Sequence, residues 1–171
     1  MRSGPASNPI TFTAQRGVAA VEMGIVLALL VVLLTGIFNF GLAIYRYDSL
    51  VKLARSGVRY LSVNKPDLEH HSKAVALMVC GDSDDPDGPS SCAAIIPNLT
   101  SAMIQICDSN NEACGTADSH KDVKVTSGSE TATFDLVTVK IVNYPFSFRI
   151  PFVQLGDINF GEIRASMIQG A

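Results

Sequence analysis

The chain has 171 residues and no tryptophan, and only 17% of its residues are charged. Its 13 lysines and arginines against 16 aspartates and glutamates give a net charge of −3. No basic run is long enough to track a phosphate backbone, so nucleic acid is not an expected partner. No Gly-x-Ser-x-Gly and no P-loop occurs, and nothing fixes a Ser, His and Asp triad. Neither an enzyme nor a cofactor is expected. No internal repeat is visible. The four cysteines, Cys80, Cys92, Cys107 and Cys114, include no Cys-x-x-Cys, which argues against structural zinc and dithiol redox chemistry.

Apolar residues, by contrast, make up 47% of the chain. They concentrate in Met23 to Ile44, where Thr35 and Asn39 are the clearly polar members and no charge occurs. As a helix this run reaches roughly 30 Å, the hydrocarbon thickness of a bilayer. The rest of the chain is too small to cover such a helix on all sides as a buried core. Gly41 and Ala43 weakly imitate a signal-peptidase site, but the run is about twice the length of a signal core. A retained anchor is the expected state.

Residues 1–17 are polar, carry Pro5 and Pro9, and read as a disordered leader. Arg2 and Arg16 favour keeping that end cytoplasmic, although Arg46, Lys52, Arg55 and Arg59, against Asp48, weaken the charge asymmetry. Beyond the run, Ile44, Tyr47, Val51, Ala54, Val58 and Leu61 recur at spacings of three and four, opposite a polar face. Proline is absent from 17 to 65. One continuous helix over about 18–63 is therefore expected, with 18–44 in lipid and 45–65 packed on an external domain.

At the edge of the run stands Glu22, a carboxylate beside hydrocarbon, where an unpaired charge is costly. Arg16-Gly17 precede it. If the chain is cut after Gly17, Val18 gains an ammonium group, and Glu22 becomes the fifth residue of the mature chain. Residues one and five share a helix face. They can pair within one chain or between neighbours, which would set the register of stacked helices.

This arrangement resembles that of type IV prepilins. Arg16-Gly17, Ala19-Ala20-Val21-Glu22, the apolar run with Gly36 and Gly41, the Tyr45 neighbourhood and Ala54, Arg55, Gly57, Arg59 and Tyr60 resemble the start of TadE-like proteins, pseudopilins of tight-adherence (Flp) pilus systems. The resemblance implies a prepilin peptidase cutting between Gly17 and Val18. It also implies a minor subunit of the bacterial inner membrane. Its expected partners are other pilins and pseudopilins, the assembly platform and the lipid bilayer. The alternative is an uncleaved, signal-anchored periplasmic binding or sensor domain.

The remaining residues, 66–171, read as a periplasmic α+β domain. Residues 66–79 suggest a second helix, and the stretch from Ala93 to Cys107 has helix-like spacing after Pro97. From Lys121 the period becomes two. Strands are expected over 122–126, 131–144, 146–150 and 162–169, the last with Ile163, Ala165 and Met167 inward. The parity of apolar residues flips between Leu136 and Val137, which calls for a bulge or for burial on both faces. About four antiparallel strands would thus pack on the long helix, a pilin-like architecture. Three cysteine pairings are possible, and Cys80–Cys92 with Cys107–Cys114 is favoured because each encloses a turn-rich loop. Ser83, Asp85, Asp87 and Gly88 partly imitate a calcium loop, but Ala94 stands where the bidentate glutamate belongs. His70 and His71 are expected on the surface.

Overall fold

With no proline to remove a donor, the helical ladder runs unbroken through α1, Thr13–Val63, 51 residues and about 75 Å long. The structure is a computed structural model that describes residues 13–83, 92–109, 120–148 and 156–170, with side chains from residue 17 onward. The C-terminal end of α1 falls where expected. Its N-terminal end lies five residues earlier than expected. Residues 13–17, read as the end of an irregular leader, are helical. Once nucleated, a helix adds residues such as Ala14, Gln15 and Arg16 at little cost.

After a short turn, α2 spans Leu68–Cys80. Its boundaries are set by local chemistry. The Asp67 side chain accepts a hydrogen bond from the His70 N–H at 2.8 Å, and Gly81 closes the helix at φ 85°, its N–H bonded to the Leu77 carbonyl. The two helices cross where Gly57 meets Met78. A β-carbon added at Gly57 would lie 2.4 Å from Met78 Sδ.

A three-stranded antiparallel sheet packs on the helices in the order β1 (Ile104–Cys107), β4 (Leu136–Ile141), β7 (Ile163–Ile168). Between them in the chain lie a hairpin, β2 (Val123–Ser127) with β3 (Glu130–Phe134), and a short pair, β5 (Pro145–Phe146) with β6 (Ile158–Asn159). Ile104 pairs with Ile141, and Ile141 in turn with Ile163, so one apolar face forms across all three main strands. That face meets Leu50, Ala54, Val58 and Leu61 of α1 in a single core. The amphipathic face of α1 was thus read one position off at its start: Leu50 is fully buried, whereas Ile44 and Tyr47 are exposed.

Two expectations need correction. The 93–107 stretch is not a helix. It is an irregular segment with a turn at Ile96–Leu99, one 3-10 turn at Ser101–Met103, and then β1. Its Ile104 and Ile106 sit at strand spacing, and the edge of β4 supplies the hydrogen-bond partners that decide the matter. The expected 131–144 strand is two strands. Asp135 separates them, its carbonyl accepting from Gln169 N–H and its side chain from Asp122 N–H. The parity flip marks this break. β4 is also buried on both faces, with Val137, Val139 and Ile141 toward the helices and Thr138 and Lys140 away from them. In β7, Ile163 and Ala165 point inward as expected. Met167 shares their face but stays 39% exposed. The strand expected over 146–150 has only Phe146 in a strand among its described residues.

Candidate functional site

The membrane-edge motif lies on the first described turns of α1. Gly17, Val18 and Glu22 are helical and exposed, and nothing lies within 4 Å of a β-carbon added at Gly17. Val18 and Glu22 are four residues apart, hence on one face. Among the described residues Glu22 has no ion-pair partner. The Arg16 side chain lies outside the described residues. The Gly17–Val18 bond lies within helical backbone.

Gly17–Val63 is, among the described residues, the one helix long and apolar enough to cross a membrane. Its outward residues have the exposure that lipid would cover; Phe38, for example, is 73% exposed. The two polar residues of the run are satisfied inside the helix. Thr35 Oγ1 donates to the Val31 carbonyl at 2.7 Å, and Asn39 Nδ2 donates to the Thr35 carbonyl at 2.8 Å. This local bonding removes the penalty of a free hydroxyl or amide in hydrocarbon.

The Cys80–Cys92 bridge is present, with a Cα separation of 5.7 Å. It ties the end of α2 to the segment leading into Ile95. Cys107 is also disulfide-bonded. Its expected partner, Cys114, lies outside the described residues, as do Asp85, Asp87 and Gly88 of the calcium-like loop. Among the described residues no group of three His, Cys, Asp or Glu side chains is placed to hold a metal.

The histidines were read too simply. His70 does cap the surface, its Nδ1 2.6 Å from Asp67 Oδ1. His71, by contrast, is only 12% exposed, and its Nε2 lies 2.5 Å from Oδ2 of the fully buried Asp108. This contact joins α2 to the end of β1. On the opposite face of the sheet, buried His120 Nε2 meets Thr138 Oγ1 at 2.9 Å, which meets Ser166 Oγ at 2.8 Å. Nothing in the sequence links residues 71 and 108, because only the packing of α2 on the sheet brings them together.

Three charges near the helices are tuned by neighbours. The His70 backbone N–H, followed by the His70 ring, lowers the Asp67 carboxyl. Lys73 lowers Glu69, and Asp48 raises Lys52.

A single long helix, apolar through its first half and docked through its second half on a small antiparallel sheet, defines a pilin-like α+β protein. The family model described as TadE-like protein matches residues 17–59, about a quarter of the chain. That stretch is TadE-like. It begins at Gly17, contains Glu22 and the apolar run, and ends at Arg59. No curated protein and no solved structure matches the chain.

Proposed function

We propose that this protein is a minor, TadE-type pilin-like subunit that acts in the biogenesis of a tight-adherence (Flp) pilus. A prepilin peptidase removes residues 1–17. The mature chain is held in the bacterial inner membrane by the first half of α1, with its sheet domain in the periplasm. Its work is assembly, not catalysis: it meets other pilins, pseudopilins and the assembly platform. The observation that carries this reading is the TadE-like match from Gly17 to Arg59, coincident with an apolar helix whose carboxylate has no ion-pair partner among the described residues.

Cleavage would create that partner at Val18. The charge on the new amine and the charge on Glu22 offset each other's cost in a low-dielectric layer. The test is the N-terminal sequence and mass of the membrane-extracted chain. A start at Val18 is expected. An intact leader would support an uncleaved, signal-anchored binding or sensor domain, for which the continuity of α1 through the Gly17–Val18 bond is the favourable observation.

A further inference from the structure

Where α1 leaves the apolar run, a groove of about 510 Å³ opens between the helix and the segment Ile95–Pro97. One wall is Leu42, Tyr45, Arg46, Ser49, Lys52 and Leu53; the other is Ile95, Ile96 and Pro97. We propose that this groove holds one anionic phospholipid from the leaflet on the side of the folded domain. The proposal rests on the membrane-spanning part of the reading above and not on pilus assembly.

Depth is the first argument. Ile44 closes the uncharged run, so Leu42 lies within the hydrocarbon. At about 1.5 Å per residue, Arg46 stands roughly 3 Å and Lys52 roughly 12 Å beyond Ile44. The headgroup layer is roughly 5–7 Å thick on each side of the hydrocarbon. The groove therefore starts at acyl depth, passes a guanidinium at phosphate depth and reaches an ammonium at its outer rim. This gradient from apolar to cationic matches one phospholipid lying along the helix. Exposed Tyr45 marks the same interfacial level.

The second argument is charge. Arg46 lies 5.3 Å from the centroid of the Phe146 ring. Among the described residues no carboxylate pairs with it, so its N–H groups remain available to a phosphate. Lys52 is held 2.6 Å from Asp48. That pair is solvent-exposed and weak, and an ammonium has three donors, so a second anion can share it. Cations on the domain side of an anchor also run against the usual bias toward the cytoplasmic side. A lipid phosphate gives them a local use.

The third argument is rigidity. Ile95 N–H bonds to the Val79 carbonyl at 2.9 Å, the Pro97 carbonyl accepts from Tyr144 Oη at 2.7 Å, and the Cys80–Cys92 bridge anchors the approach. Ile95 nevertheless leaves 53% of its surface open. An apolar side chain on a fixed wall beside lipid lowers the ordering cost of binding.

The test uses the full chain in nanodiscs of phosphatidylcholine with a minority of phosphatidylglycerol, followed by native mass spectrometry of retained lipid. One phosphatidylglycerol is expected to be kept in preference to phosphatidylcholine. Lys52→Gln and Arg46→Gln should each reduce that preference about fivefold. Ile95→Ser should reduce retention of both lipids. Excess inorganic phosphate should leave the lipid in place; displacement would show a bare anion site and overturn the proposal. Equal retention of the two lipids, or a preference unchanged in the double variant, would overturn it as well. A chain that inserts but shows no preference defeats this proposal alone. A chain that fails to insert defeats the membrane-spanning reading with it.

Discussion

Adjacent histidines on α2 show how position decides what one residue type does. His70 stays partly exposed and helps cap its own helix, whereas one step along His71 turns inward to a carboxylate with no solvent exposure. Removing the His71 ring takes a partner from buried Asp108, so His71→Ala should cost about 2 kcal/mol of domain stability. His70→Ala should cost about 0.5 kcal/mol, because the backbone cap to Asp67 survives it. Denaturant unfolding of the two variants checks the contrast, and equal losses would show that the His71–Asp108 contact contributes nothing special. Asp67 gives a pH prediction at the same scale. Its carboxyl is lowered on folding, chiefly by the His70 N–H. Its contribution is therefore fully present above the carboxyl's unfolded value and is lost as pH falls through the lowered folded value. Asp67→Asn keeps a capping oxygen but no titration. Amide exchange in α2 should then lose part of its acid dependence, and an unchanged acid slope would refute the assignment.

Among the elements, the α1–α2 crossing depends on Gly57. The Met78 side chain occupies the space a β-carbon would need, and Met78 is fully buried. Gly57→Val should therefore destabilise the domain by about 2 kcal/mol through overpacking. The same change at Gly36, where a β-carbon meets nothing within 4 Å, should leave domain stability unaltered. Thermal unfolding of both variants tests this, and similar effects at the two sites would remove the packing argument. These elements also show how far the sequence could be read. α1 was legible because no proline stands between Pro9 and Pro66 and apolar side chains persist. α2 was legible over 66–79 from its apolar members, whereas its ends, set by Asp67 and Gly81, were not read. The hairpin was legible because period two stops at Gly128 and resumes at Glu130. The Ala93–Cys107 stretch was not legible. Its isoleucines suit either period, and the deciding hydrogen bonds come from β4, more than thirty residues on. Asp135 was visible only as a parity flip, since its bonds to Asp122 and Gln169 belong to the tertiary fold. At the membrane edge, Glu22 was identifiable because a charge bordering an apolar run is conspicuous. The early start of α1 was not, because Thr13 to Gly17 carry no apolar pattern.

For the whole molecule, membrane insertion and the proposed assembly pose opposite demands on Glu22. A carboxylate near lipid opposes insertion, and none of the described residues within the chain offsets it. Selection of an anchor alone would favour an apolar residue there. Two processes therefore separate when the charge is removed. Glu22→Ala should insert at least as well as the parent, since charged residues cost up to about 3 kcal/mol near a bilayer centre and less at its edge. Cleavage after Gly17 should persist, because the bond addressed is unchanged. Incorporation beside a neighbouring subunit should fall by about tenfold, the equivalent of about 1.4 kcal/mol of lost pairing. Co-purification of the processed variant with its neighbour subunits measures that last quantity, and membrane fractionation measures the first. A variant that inserts, is cut and still assembles at the parental level would leave Glu22 as an acid in the headgroup layer with no role in register. A variant that inserts and is cut but does not assemble assigns the carboxylate to contact between chains, as the proposed pairing requires.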